Sequence, residues 1–395
     1  MNILFICHRL PFPPKRGGKI RPYNVIRHLA EQGHSVTVVT LARSDEELHE
    51  GKGLEEIAKV VHVGRIGRFR AVLQMILRLP TLTPSSMGYF FSRGLERSAR
   101  TELSSGAYDV VFVHCSSVAQ YANGLNGARS VLDFGDMDSQ KWLDYSSFKP
   151  FPLSLGYWLE GMKLMRAEKR LASSFDLCTC TTQAELETLD SYCAGTQTGW
   201  FPNGVDASYF SPSGDSYRAN SICFVGRMDY YPNQQGVTEF CDHVLPLLRR
   251  RLPDVSLTIV GAEPSRAIRR LGLRPGVEVT GTVDDVRPYV WRSAASIAPL
   301  AIARGTQNKV LESMAMGVPV VCSRKAARGV DAIPGQHLLV ADTPEEYEQQ
   351  LGSLLSSSAK RDALATAGRA RVLSHHDWRQ SMRKLDQLVG AICNK

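Results

Sequence analysis

Short runs of consecutive apolar residues recur along the chain, and each is followed by a turn and a stretch with apolar positions at helical spacing. The run inside Asn2–Cys7 is continuous rather than alternating, which predicts a strand buried on both faces, as in a parallel sheet. Ile20–Gln32 follows as a helix. Pro22 sits near its start, where a missing N–H costs little, and Gly33 ends it. Ser35–Leu41, Tyr108–His114 and Ser130–Phe134 read as further buried strands, each running into polar residues. The alternation restarts with a strand over Ser221–Gly226, a helix over Gln234–Arg251 and strands over Val255–Gly261 and Val277–Gly281. A helix from Asp284, a strand over Ala295–Leu300 and one over Val318–Cys322 complete it. This pattern predicts an α/β protein of two Rossmann-like, doubly wound parallel-sheet domains. Gly-x-Gly-x-x-Gly is absent after the first strand, which disfavours a dinucleotide site there.

A chain of 395 residues suits two domains. The expected division is 1–200, a turn-rich linker over 201–214, a second domain over 215–374 and a closing segment over 375–395. Between the last two strands lies one short helix, with apolar positions Val310, Leu311, Met314 and Ala315 and a stop at Gly317 and Pro319. It opens near Gly305–Asn308, at the carboxyl end of a strand. Open α/β sheets bind ligands there, and the free N–H groups and dipole of a helix start favour a phosphate. Lys309 adds a mobile cation. Glu312, on the same face as Asn308, can accept from two vicinal hydroxyls such as a ribose offers. A diphosphate donor with a ribose fits this layout, and an ordinary solvated helix face is the plainer alternative.

The net charge of +8 suggests an anionic partner. Between Arg65 and Arg100 stand seven arginines and one acidic residue, Glu96, interleaved with apolar and aromatic residues. Residues 70–78 read as a helix with a strong apolar face. That face either meets the cytoplasmic membrane surface or packs on the sheet. No nucleic-acid module is present, so nucleic acid is not expected as a partner. The chain opens directly into a strand without a secretory signal pattern, no apolar run could span a bilayer, and the nine scattered cysteines read as small core residues. A cytoplasmic protein is expected, with peripheral contact through residues 65–100.

The loop after the first strand is basic and carries Gly17 and Gly18, which let backbone N–H groups approach a ligand. Lys15, Arg16 and Lys19 add attraction for an anionic acceptor. His114 ends one strand. Asp136 and Asp138 follow the next, where a carboxylate could take the proton of an attacking hydroxyl.

The segment Arg304-Gly305-Thr306-Gln307-Asn308-Lys309-Val310 through Glu312 resembles the donor-site motif of retaining glycosyltransferases of family 4, which have the GT-B fold. In that family two glutamates separated by seven residues flank the donor. Glu312 matches the second, and Arg304 stands where the first would be, so the first carboxylate's role does not carry over. Gly226-Arg227 resembles the family's phosphate-binding arginine, and Asn233 occupies the place of a lysine, for which Lys309 would compensate. Asn203-Gly204-Val205-Asp206 is similar to the interdomain linker, and the segment from His375 resembles the helix that crosses back onto the first domain. Asp136-Met137-Asp138 with Lys141 and Trp142 resembles a subgroup tied to exopolysaccharide clusters and the exosortase (PEP-CTERM) system.

The resemblance implies a retaining, metal-independent transfer of a hexosyl group, without a cofactor. The two domains would face each other across a cleft, and the acceptor would be a lipid-linked oligosaccharide or glycan hydroxyl. It places Gly226, Arg227, Asn233, Arg304, Gly305, Thr306, Gln307, Lys309, Val310 and Glu312 on the donor, Gly17, Gly18 and their basic neighbours on the acceptor, and His114 and Asp136 at the reaction. A sugar-nucleotide epimerase or hydrolase of the same fold, and a non-catalytic sugar-nucleotide or lipid-binding protein, are the alternatives.

Overall fold

A computed structural model of the protein describes residues 1–14, 17–122, 125, 127–193, 195–214 and 216–393. The chain forms two compact units: Met1–Pro202 together with the segment from Met382 on, and Asn203–Ser381.

Among the described residues, the first unit holds seven strands: β1 (Asn2–Cys7), β2 (Ser35–Ala42), β3 (Val60–Arg65), β4 (Val110–His114), β5 (Arg129–Gly135), β6 (Leu177–Cys180) and β7 (Gln197–Trp200). They lie in the order β3-β2-β1-β4-β5-β6-β7. Every pairing is parallel. The apolar runs are why these residues form central strands: β1 and β4 are buried along almost their whole length. Phe5 and Phe112 stack at 4.9 Å from these neighbouring strands. The helix Gly17–Glu31 starts earlier than the apolar periodicity indicates, so the paired glycines open the helix instead of lying in a free turn. The C-terminal helix Trp378–Cys393 buries Leu385, Val389 and Ile392. A side chain at Gly199 on β7 would stand 2.5 Å from Leu388, so only glycine lets that helix lie so close.

The second unit holds six strands among the described residues: β8 (Arg218–Val225), β9 (Ser256–Val260), β10 (Val277–Gly281), β11 (Ser293–Ala298), β12 (Val320–Cys322) and β13 (Leu339–Val340). Their order is β10-β9-β8-β11-β12-β13, again all parallel. The expected helix over Gln234–Arg251 spans Tyr231–Arg251 with one π-turn at Phe240–Val244. Pro246 stands just past that turn and cannot donate the next helical hydrogen bond, so the ladder widens there.

In each sheet the strand order reverses once, between β1 and β4 and between β8 and β11. Ligands of doubly wound sheets bind at the carboxyl ends of the strands at this reversal.

Candidate functional site

In the second unit the reversal brings Gly226 and Arg227, just past β8, to the same sheet edge as the segment following β11. That segment leads to the helix Asn308–Ala315. Gly305 has a φ of 60°, a left-handed conformation that glycine adopts without strain. The carbonyl of Gly305 would lie 2.1 Å from any side chain at Gly329, so two glycines let this turn close. Gln307 precedes the helix, and its side-chain amide donates back to the Arg304 carbonyl at 3.0 Å instead of capping the helix. The first N–H groups therefore keep the unsatisfied character of an uncapped helix start. Two polar atoms there, the Thr306 hydroxyl and the Asn308 side-chain carbonyl, are buried without a hydrogen-bond partner. Leaving such groups unpaired costs about 1–3 kcal/mol each unless a ligand satisfies them.

Lys309 is less mobile than its sequence context indicates. Its ammonium donates to Asn233 Oδ1 at 2.5 Å, and Asn233 in turn donates to the Arg227 carbonyl at 2.8 Å. The ammonium also lies 4.5 Å from the centre of the Phe224 ring. Burial brings Lys309 down to about 7, with Glu312 opposing the drop. Burial pushes Glu312 up to about 7, against the pull of Lys309. Burial thus shifts both groups toward their neutral forms, and an arriving charge shifts them again. Gly226 is required beside them: a side chain would stand 2.7 Å from the Asn233 amide and 3.0 Å from Lys309 Nζ.

Arg227 differs from the free cation expected beside a phosphate. Its guanidinium is held bidentately by Asp229 at 3.0 and 2.7 Å, and Glu263 lies 3.0 Å away. Two carboxylates thus already compensate its charge. Near the ends of β9 and β10, a shallow pocket is lined by Glu263, Pro264, Arg269 and Val279–Thr282.

In the first unit, Cys7 at the end of β1 pairs in register with His114 at the end of β4, and His114 pairs with Asp133 on β5. Asp133 is fully buried. It accepts from Arg21 Nε and Nη2, each at 2.8 Å, from Thr179 Oγ1 at 2.9 Å and from His114 Nδ1 at 2.8 Å. Burial alone would raise Asp133; the Arg21 guanidinium and the bonds to it and His114 instead hold it well below the usual carboxylate range. An ionised Asp133 can only accept, so His114 carries a proton on Nδ1, and in the neutral ring Nε2 is then the acceptor.

Arg21 and Asp133 were not among the residues expected at the site. Their signal was present: a carboxylate inside the apolar run Val131-Leu-Asp-Phe134 requires a buried partner.

Asp136 accepts from Thr181 Oγ1 at 3.0 Å. Burial raises Asp138, with Asp136 adding to the rise and Lys141 opposing it. A side chain added at Gly18 would lie 3.8 Å from His8 Nε2, so the helix start adjoins the β1 end. Lys19 is not available to attract an anion as expected: it is buried in an ion pair with Glu47 at 2.9 Å. The expected contributions of Lys15 and Arg16 lie outside the described residues.

Within the arginine-rich segment the helix Arg93–Ser104 buries Leu95, Ala99 and Leu103, whereas the helix Arg68–Leu77 buries only Ala71. Its apolar face does not pack on the sheet: Phe69 is 84% and Leu77 64% exposed. Lys163 donates to the Leu79 carbonyl at 2.7 Å and joins this helix to Leu153–Ala172, whose first turns expose Leu153, Leu155 and Trp158.

Residues 16–209 match the family model described as Glycosyltransferase Family 4, and residues 219–357 match that of Glycosyl transferases group 1. With the two parallel sheets, these matches define the class of the molecule: the GT-B fold, each half of it similar to a glycosyltransferase family model. Among curated relatives, the chain is similar to the GDP-mannose-dependent alpha-(1-6)-phosphatidylinositol monomannoside mannosyltransferase of Mycolicibacterium smegmatis. Identity is 28% over 210 residues, covering 48% of this chain and 55% of that protein. It is 30% identical over 162 residues to the phosphatidyl-myo-inositol mannosyltransferase of Propionibacterium freudenreichii, covering 40% of each chain. The chain thus spans about half the length of these relatives. Among solved structures, sucrose-phosphate synthase from Thermosynechococcus elongatus superposes with a TM-score of 0.73 at 16% identity, covering 99% of both chains. Anabaena HepE in complex with UDP gives 0.71 at 15%, covering 99% of this chain and 100% of that one. These two likenesses establish the fold.

Proposed function

We propose that the protein transfers a hexosyl group, with retention of configuration, from a nucleotide-diphosphate-sugar to a hydroxyl acceptor. One observation carries this reading. The uncapped start of the helix Asn308–Ala315, at the reversal of the second sheet, gathers buried unpartnered Thr306 and Asn308 atoms with Lys309 and Glu312. A diphosphate accepts from the helix start and holds Lys309 protonated, which eases departure of the leaving group. Glu312 accepts from the ribose hydroxyls. The shallow pocket beside β10 accommodates the base. In the first unit, His114 Nε2 and Asp136 are the groups that receive the acceptor hydroxyl, and the Gly17–Gly18 helix start lies beside them.

The acceptor in this proposal is lipid-linked, as in exopolysaccharide assembly, and is reached at the cytoplasmic membrane surface. The names of both curated relatives specify inositol-lipid acceptors. The exposed apolar face of Arg68–Leu77, with arginines around it, supports peripheral contact with an anionic bilayer. The test is a thermal-shift screen of nucleotide-sugars, followed by transfer from the preferred donor to membrane lipid extracts, with the new anomeric centre read by NMR. One donor should stabilise the wild type, fail with Glu312→Ala, and give a product of retained configuration. An inverted product, or stabilisation by no donor, would refute the reading.

A further inference from the structure

We propose that His8, His114 and Cys115 form a binding site for a single thiophilic divalent cation of the zinc class. The three residues meet at the reversal of the first sheet. One ligating atom from each lies within 4.8 Å of the others. His8 directly follows β1 and His114 ends β4, and the register of the two strands sets them side by side, with ring centres 5.7 Å apart. Cys115 follows with a φ of 78°, outside the extended conformation of the strand before it.

Two further features point to a ligand. Nδ1 of His8 is buried and has no hydrogen-bond partner. His114 donates from Nδ1 to Asp133 at 2.8 Å, which leaves the lone pair of Nε2 for an incoming group. A histidine oriented by a carboxylate on one nitrogen and ligating through the other is the common arrangement at zinc centres. Asp133 is itself fixed by Arg21 and Thr179, so the ring has little freedom to turn.

The donor set chooses the ion. Thiolate and imidazole select zinc-like cations over magnesium or calcium, which prefer oxygen. Bond lengths of about 2.0–2.3 Å require the three atoms to draw together by roughly 1 Å. On binding, the Cys115 sulfur–hydrogen bond gives way to a sulfur–metal bond and the proton leaves to solvent. Both imidazoles donate lone pairs, and no group is oxidised or reduced. Three protein ligands leave a fourth position open. The site rests on these three residues, and a metal on His114 Nε2 would take the place proposed above for the acceptor hydroxyl, so the two are not held at once.

The experiment is a titration of reduced, tag-free protein with cobalt(II), followed by the sulfur-to-cobalt charge-transfer absorption in the near ultraviolet. The wild type should bind one cobalt per chain with that band, and zinc should displace it. Cys115→Ser should abolish the band, whereas Cys193→Ser should keep it. His8→Ala should weaken cobalt affinity at least tenfold, and it serves as the deciding variant if Cys115→Ser does not fold. Absence of the band in the wild type, its survival in Cys115→Ser, or unchanged affinity in His8→Ala would each overturn the proposal.

Discussion

The two sheet reversals solve the same problem in opposite ways. In the first unit the charges at the strand ends satisfy one another: Arg21, Thr179 and His114 surround one buried carboxylate, Asp133. In the second unit the helix start is left incomplete, with two buried polar atoms unpartnered and a lysine and a glutamate both poised near neutrality. Such a network fixes a ring before anything binds; an incomplete helix start gains most of its order and charge from its ligand. The contrast teaches that a Rossmann-like edge can be built either to position a side chain or to receive an anion.

The most severe way to break the contrast is at its rigid side. Arg21→Met leaves Asp133 buried and uncompensated, and the first unit should lose about 3–5 kcal/mol, read as a lower urea midpoint. Lys309→Met in the second unit should be near neutral or stabilising at pH 7, because the buried ammonium is itself a cost. Equal losses would erase the distinction. Next comes Glu312→Ala, which removes the proposed acceptor for two ribose hydroxyls. Donor Kd should rise about tenfold to a hundredfold by calorimetry, with the fold unchanged by circular dichroism. Gly226→Ala pushes against Asn233 and Lys309, and donor KM should rise about tenfold while acceptor KM holds.

A pH series sharpens the comparison further. Lys309 is brought down to about 7, so raising the pH above 7 empties its proton before the donor arrives. Donor affinity should fall with rising pH, by up to about tenfold per unit, until the pH passes the higher pKa of the bound state. In Lys309→Met this fall should be lost, leaving only the titration of Glu312. The smallest effect is expected at the surface. Phe69→Glu should reduce partitioning onto anionic vesicles about tenfold by flotation, leaving transfer to a soluble acceptor mimic intact.

Much of the frame was legible because parallel strands are continuous apolar runs. β1, β2, β4, β5, β9 and β10 lie within a residue or two of where those runs placed them, and β8 starts three residues earlier than its run. β3, β6, β7 and β13 were not read: β3, β7 and β13 are edge strands with half-exposed residues, and β6, though buried, is only the four residues Leu177-Cys-Thr-Cys180. The helix start at Asn308 was legible from Gly305 and the stop at Gly317. How its charges are spent was not. Lys19 pairs with Glu47, and Arg227 with Asp229 and Glu263; only the folded chain shows a cation already compensated. Arg21 and Asp133 are 112 residues apart, so a sequence signals the need for a partner but not which partner.

The most direct test of an anion-completed site is calorimetry of the preferred nucleotide-sugar at pH 8, repeated in two buffers of different ionisation enthalpy. At that pH the free Lys309 is largely neutral and the donor phosphates do not titrate. Binding should take up protons in the wild type and clearly fewer in Lys309→Met, where only Glu312 can still titrate. Binding with no proton uptake, or equal uptake in both proteins, would contradict the claim that the donor's charge completes this helix start.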